Sequence, residues 1–373
     1  MAYLVNLSAR FLGFVLKIDH SLDKKFERIV ISKYAGLGSI IQATPLIQTL
    51  RINFPDAKII FVSTETNAAF LKHVGEIDEI VLVSDKNLQS VIKTSVSLLI
   101  KMWQVKPDLH IDLEFYSNYS GIITTLCKAT NRLGFFKKNK NYRKGIYNYL
   151  VPFNINTPIS ETYLQFAHLV NCKQIITELK IDLIKDAEDN IFLQKAGLAK
   201  TDKYIVINPN ASDLRLERRW PKENYTAVIN YILKKYPTYK VVLIGNKIES
   251  VYVDEIVSFL PLHSSLINSA GKISLTELIH LIAHAELMIT NDTGPMHIAF
   301  ALNVKTISLF GPCSPQQYGQ VKNGITFYKK VECSPCVHTH LIPPCNGNNI
   351  CMKNIQVNEV IQALAQSLAS NPV

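Results

Sequence analysis

The sequence predicts an α/β protein made of two doubly wound parallel-sheet domains in tandem. Three observations predict it. At 373 residues and 42.0 kDa, the chain exceeds what one hydrophobic core usually holds. Short β-branched runs alternate with helical stretches, as parallel βαβ units require. The alternation then restarts after a mixed polar segment, Asn171 to Asp202. Two such domains are expected to bind a ligand in the cleft between them, at the carboxyl ends of their strands.

Residues 1–23 come first. In MAYLVNLSARFLGFVLKI, Leu4, Leu7, Phe11, Phe14, Val15 and Ile18 recur at three- and four-residue spacing, which predicts an amphipathic helix. Asn6, Ser8 and Arg10 interrupt the run, which falls short of the ~20 residues of a membrane span. Lys17, Asp19, His20 and Asp23 follow where a secretory leader would carry small residues. The helix is expected either in a membrane interface or docked on the protein's own surface. The expected location is the cytoplasm or the inner face of its membrane.

The first domain, 24–178, opens with the strand Glu27–Ser32 (ERIVIS), a glycine loop and a helix through Gln48. Ala57–Ser63 (AKIIFVS), Glu79–Val83 (EIVLV) and DLHIDL from Asp108 are its further strands. The linker is placed at 179–202. The second domain, 203–353, restarts with Tyr204–Asn208 (YIVIN), a helix near Glu223–Lys235, and Lys240–Gly245 (KVVLIG). A helix ending near Ala285, then Glu286–Thr290 (ELMIT) and Lys305–Phe310 (KTISLF), continue it. Residues 354–373 are expected as a helix and tail.

Composition limits the function. With 47% hydrophobic and 19% charged residues, the chain is not disordered in the main. Forty Lys plus Arg against thirty Asp plus Glu give +10 and a pI near 9.1. That surplus favours an anionic partner: a phosphorylated substrate, a membrane surface or nucleic acid. Solubility alone is the plain alternative.

Three stretches sit at strand ends and carry chemistry. In KYAGLGSIIQATPLIQTLRINFPDAKI, from Lys33, Gly36 and Gly38 follow a strand and open a helix. Glycines there let a ligand approach the backbone, and the helix start offers N–H groups. The loop matches neither the dinucleotide fingerprint nor the P-loop, and a tight structural turn explains it equally. In NPNASDLRLERRWPKENY, from Asn208, Arg215, Arg218 and Arg219 precede a helix entered through Pro221. Guanidinium forks suit diphosphate oxygens, though a solvated basic loop with Trp220 as a packing anchor is the alternative. In TNDTGPMHIAFALNVKTISLFGP, from Thr290, the turn Asn291-Asp292-Thr293-Gly294 leads into a helix with His297 in its first turn. A carboxylate, a hydroxyl, backbone N–H groups and an imidazole converge there.

Together these residues resemble glycosyltransferase family 9, the lipopolysaccharide heptosyltransferase family, from about Glu27 to the C-terminal helix. The glycine loop with ATPLIQTLR and FPDA is similar to its N-terminal signature, and RRWP and NDTGPMHIAFAL…LFGP to its donor-site motifs. The resemblance implies the GT-B architecture, two Rossmann-like domains facing a cleft. It implies an inverting glycosyltransferase taking a nucleotide sugar, in this family ADP-heptose, with no metal or other cofactor. The acceptor would be a lipopolysaccharide core or related glycolipid, with a membrane surface as a further partner and no nucleic acid. By the same resemblance Arg218, Thr293, Gly294 and His297 would bind the donor diphosphate, Asp292 would face the sugar, and Glu249 the ribose. Gly36 and Gly38 would belong to the acceptor side. Arginine and helix-terminal N–H groups stabilise a departing diphosphate without a metal.

One departure bears on the chemistry. The family's loop reads Gly-Asp, and that aspartate is its general base, whereas here Ser39 follows Gly38. An ordinary serine hydroxyl is no base near neutral pH. Asp112 and Glu114, in HIDLEF, are the substitutes by position, with a structural role as the alternative. The other readings are a family member using another nucleotide sugar, and a sugar-nucleotide-binding paralogue with little or no turnover.

Two features stand apart. Cys333, Cys336, Cys345 and Cys351 follow a C-x₂-C-x₈-C-x₅-C spacing with His338 and His340 between them. A closed zinc site is one reading, and reduced structural thiols are preferred. In GFFKKNKNYRKGIYNY, Lys137, Lys138, Lys140, Arg143 and Lys144 mix with Phe135, Phe136, Tyr142 and Tyr147. This suits a phosphorylated lipid or the membrane, with a solvated basic loop or a nucleic-acid surface as the alternatives.

Overall fold

A computed structural model describes residues 2–15, 18–136, 143, 145–184, 189–211, 213–319, 322–337, 340 and 342–369. The chain divides into two compact units, Met1–Asp182 and Leu183–Val373.

The first unit carries strands β1 (Arg28–Ser32), β2 (Lys58–Thr64), β3 (Glu79–Val83), β4 (Leu109–Asp112), β5 (Asn131–Phe136) and β6 (Tyr149–Pro152). All neighbours pair in parallel, in the order β3-β2-β1-β4-β5-β6. The apolar run of β1 explains its central place, since Ile29, Val30 and Ile31 are covered on both faces. Ile31 lies opposite Phe61 on one side and Ile111 on the other.

The helix expected to run unbroken through Gln48 is two helices, Leu37–Ile41 and Thr44–Asn53. Pro45 explains the break. It has no N–H to give to the Ile41 carbonyl, and the Thr44 hydroxyl donates to that carbonyl instead, at 2.8 Å.

The second unit repeats the plan with β7 (Lys203–Asn208), β8 (Tyr239–Leu243), β9 (Leu266–Asn268), β10 (Leu287–Asn291), β11 (Thr306–Phe310) and β12 (Gly324–Tyr328). Its order, β12-β11-β10-β7-β8-β9, is the same as that of the first sheet. Trp220 is the anchor of its core. It is fully buried, packs edge-on against Tyr225 at 5.1 Å, and donates from its indole to the Ile355 carbonyl at 3.0 Å. Val360, Ala363 and Leu364 of the C-terminal helix Val357–Ala369 join the same core. Within the segment placed as linker, Asp189–Lys195 forms a helix that belongs to this unit, with Lys195 paired to Glu277 at 2.7 Å.

In each sheet the strand order reverses at the centre, between β1 and β4 and between β7 and β10. Open α/β sheets bind ligands beyond the carboxyl ends of their strands at that reversal.

Candidate functional site

In the second unit the reversal is held open by asparagines. Asn291, the last residue of β10, donates its amide to the carbonyls of Pro209 and Asn210 at 2.9 and 3.0 Å. Its oxygen accepts from the Tyr225 hydroxyl at 2.9 Å and the Trp220 backbone at 3.3 Å. One side chain thereby fixes the loop after β7 and the RRWP segment relative to β10. Asn208 donates to Thr290 and Thr293 hydroxyls at 3.1 and 2.7 Å.

These braces set the next residues. Asp292 is buried, and Arg218 reaches both its carbonyl, at 3.3 Å, and its carboxylate, at 3.6 Å. His297 Nε2 lies 4.0 Å from the other carboxylate oxygen. The helix Gly294–Ala301 starts here with Thr293 as its N-cap and Pro295 in its first turn. Burial lowers the His297 pKa to about 4, with Arg218 adding to the effect and Asp292 opposing it. The imidazole is therefore neutral near pH 7.

Arg218, Asp292, Thr293, Gly294 and His297 are thus brought together as expected. Glu249 follows a different strand. It lies one strand over, beyond β8, where its carboxylate accepts from the Asn246 backbone at 2.8 Å and its Cβ packs near Gly245.

The other arginines are used elsewhere, which corrects the expectation for the basic loop. Arg219 lies over the Tyr252 ring, 4.0 Å from its centroid, and Arg215 donates to the His340 carbonyl at 2.8 Å. Sequence reasoning missed Cys313, a buried thiol beside Asp292. Burial and the neighbouring carboxylate push its pKa well above the ordinary value. The bracing roles of Asn208 and Asn210 were missed as well.

In the first unit the reversal is filled by a buried polar network. Glu114 accepts from Lys33 Nζ at 2.8 Å and from the backbone N–H groups of Tyr34 and Ala35 at 2.8 and 3.0 Å. Burial raises its pKa, but the Lys33 charge and these hydrogen bonds outweigh burial and hold it below the usual glutamate value. Asp112 is 0% exposed. It accepts from the Ser120 hydroxyl at 2.9 Å, the Glu114 backbone at 3.0 Å, the Ser32 hydroxyl at 3.3 Å and the Tyr147 hydroxyl. Burial raises its pKa, only partly offset by Arg143 at 3.7 Å and these donors.

Glu114 therefore braces the loop between β1 and its helix, and Asp112 ties the end of β4 to Ser32, Ser120 and Tyr147. That corrects their expected place as substitute bases, because a base must present an oxygen to the incoming hydroxyl. Gly36 has a φ of +89°, which glycine adopts freely, and Ser39 sits half-buried in the first turn beyond it.

Within the basic–aromatic stretch, Arg143 is buried where a surface cation was expected. It donates to the Glu114 carbonyl at 2.8 Å and to the Tyr147 hydroxyl at 3.0 Å. Phe135 and Tyr147 are buried as well, Phe135 inside β5. A Cβ at Gly134 would collide with the Tyr147 ring. Lys137, Lys138, Lys140, Tyr142 and Lys144 lie outside the described residues.

Of the C-terminal cysteines, Cys333 is exposed, Cys345 half-buried, and Cys336 and Cys351 buried. Among the described residues no three His, Cys, Asp or Glu side chains form a cation site, and His338 lies outside them. Among the described residues, too, no helix is long and apolar enough to cross a membrane.

Comparison with known proteins gives the family and the fold. The family model for glycosyltransferase family 9 (heptosyltransferase) matches residues 101–344. The chain is 25% identical over 349 residues to lipooligosaccharide heptosyltransferase 2 of Campylobacter jejuni, covering 92% of this chain and 99% of the relative. In fold it is similar to a family 9 glycosyl transferase from Veillonella parvula, with a TM-score of 0.78 and 22% identity, covering 94% and 100% of the two chains. It is also similar to the ADP-heptose lipopolysaccharide heptosyltransferase II of E. coli, with a TM-score of 0.76 and 20% identity, covering 92% and 98%.

Proposed function

Since the chain belongs to glycosyltransferase family 9 and has the GT-B fold, we propose that it moves heptose from ADP-heptose onto a lipopolysaccharide-core or related glycolipid hydroxyl, with inversion and at a membrane surface. The observation that carries this reading is the cluster of Arg218, Asp292 and His297 at the start of the helix Gly294–Ala301.

The acceptor hydroxyl oxygen bonds to the anomeric carbon and gives up its proton to solvent, while the bond from that carbon to the diphosphate oxygen breaks and ADP leaves. Negative charge then grows on the departing ADP. Arg218 and the first N–H groups of the helix stabilise that charge more than they stabilise the bound donor, so they lower the barrier. His297 enters neutral and can donate one hydrogen bond to the diphosphate. Asp292, held from behind by Arg218, faces the sugar hydroxyls.

Calorimetry with ADP-heptose, and with UDP- and GDP-sugars alongside, tests the reading. ADP-heptose should bind selectively and turn over. Arg218→Ala and Asp292→Asn should each weaken binding by roughly 10- to 100-fold, the worth of a charge-assisted hydrogen bond. Unchanged affinity in both variants would remove the proposed site.

Ser39 favours a second reading, a nucleotide-sugar-binding protein without turnover. Neither Ser39 nor the braced pair Asp112 and Glu114 offers an ordinary general base. Tight donor binding with no transfer on any core acceptor would support that alternative.

A further inference from the structure

The helix Leu88–Val105 packs one side on the first sheet through Leu98 and Met102. Its other side carries Leu88, Ile92, Val96, Ile100 and Trp103, each between 44% and 75% exposed. At 100° per residue these five side chains fall within an arc of about 120°. The neighbouring helix Asn118–Leu126 extends the surface with exposed Ile122 and Leu126. The two helices are locked together: the Trp103 indole donates to the Leu126 carbonyl at 2.7 Å, and the Ser95 and Tyr119 hydroxyls meet at 2.7 Å. Seven large apolar side chains therefore share one rigid outward face. Isolated exposed apolar residues are ordinary, but a contiguous patch marks an interaction surface.

The two helices themselves carry charges of one sign only, with Asp85 exposed just ahead of the first. Neither helix contains an aspartate or glutamate. Lys93, Lys106 and Lys128 are exposed beside it, and Lys128 lies over the Trp103 ring at 4.7 Å. Lys106 directly follows the first helix and Lys128 lies two residues past the second, both in a left-handed conformation, at φ 52° and 58°.

We propose that this face docks the protein on an anionic lipid bilayer. The apolar stripe would enter the headgroup boundary while the lysines meet lipid phosphates, the arrangement of an interfacial amphipathic helix. Tryptophan suits that boundary, with an apolar ring and one polar N–H. A second copy of the chain fits less well, because a two-fold contact through one patch brings its lysine rim against the same rim. The proposal rests on the reading that the acceptor is a glycolipid, since such an enzyme must work at a membrane. It does not rely on the helix Ala2–Val15, where Leu7, Phe11, Leu12, Phe14 and Val15 are separately exposed.

The test is flotation with phosphatidylcholine vesicles, with and without phosphatidylglycerol. Three proteins are compared: wild type, the triple variant Ile92→Glu, Val96→Glu, Ile100→Glu, and the double variant Phe11→Glu, Phe14→Glu. Wild type should bind the anionic vesicles, and the triple variant should lose at least about tenfold in partition. The triple variant should also bind ADP-heptose with wild-type affinity and act normally on detergent-solubilised acceptor, which shows that its fold is intact. No vesicle binding by wild type, or equal binding by the triple variant, overturns the proposal. A loss confined to the double variant also overturns it. So does a wild-type dimer, seen by sedimentation, that the triple variant breaks. A wild type that binds vesicles but no nucleotide sugar leaves the docking face standing and refutes the transferase reading instead.

Discussion

Replacing Glu114 by alanine should destabilise the first unit without touching the donor site. The side chain accepts from the Lys33 ammonium and from two successive backbone N–H groups, and both partners of the ion pair are under 10% exposed. Removing one member of a buried pair strands the other charge, which costs about 3–5 kcal/mol. The orphaned N–H groups of Tyr34 and Ala35 add to this, less whatever water enters the space. With a urea slope of about 2 kcal/mol per molar, the unfolding midpoint should fall by roughly 2 M. Hydrogen exchange read by mass spectrometry should show the loss in peptides around residues 28–41, while peptides around 287–301 keep wild-type protection. ADP-heptose affinity should be unchanged. A midpoint within about 0.3 M of wild type would mean that Glu114 does not brace the loop. Glu114→Gln sharpens the comparison because it keeps an oxygen for the two N–H groups. A glutamine variant of full stability but no transfer activity would show that the carboxylate acts in the chemistry, contrary to the argument here.

Two more expectations follow from buried groups and from the loop. Ser39→Asp puts a carboxylate where the family carries one, and should raise the transfer rate by about 10²-fold, the lower end of what a general base contributes; an unchanged rate at equal donor affinity would show that the missing carboxylate is not limiting. Burial lowers His110 to about 3 and His297 to about 4, from an ordinary 6.5. Above 6.5 the folded and unfolded chains carry the same protons at these sites, so stability is complete there. As pH falls from 6.5 toward 4, the unfolded chain gains protons that the folded chain refuses, and stability declines. The loss approaches about 5 kcal/mol for His110 and about 3 kcal/mol for His297 once pH is below both values of each site. Urea midpoints that stay flat between about pH 7 and pH 5 would contradict this assignment.

The sequence was most readable where a strand is apolar on both faces. ERIVIS, YIVIN and ELMIT are such runs, and each forms a central strand of its sheet. Of the outer strands, only Glu79–Val83 was equally plain. Gly324–Tyr328 and Tyr149–Pro152 each pair on one side only, and Leu266–Asn268 is three residues long. Asn131–Phe136 was obscured for another reason, because its apolar end runs straight into a lysine cluster.

At the site, the turn Asn291–Gly294 with His297 was legible because its parts are local in sequence. Long-range roles were not. Arg143 reads as one more surface cation until the fold places it against Asp112, and Glu114 reads as a free carboxylate until Lys33 and the loop amides close on it. Burial of a charge is a property of the tertiary structure, decided by partners that no local pattern contains.

The shared strand order also has a consequence during synthesis. In the first sheet, β1 can pair with β2 as soon as both have left the ribosome, but its other neighbour is β4. Residues 33–108 must be translated before that second edge is covered, on the order of ten seconds at ~5–20 residues per second. Through that interval the nascent chain holds a half-sheet of β3, β2 and β1 whose open rim is formed by Ile29, Val30 and Ile31. Strand β7 waits in the same way for β10, across residues 209–286. Each polypeptide thus presents a sticky, unpaired edge to the crowded cell twice, and holdase chaperones have two defined occasions to bind it.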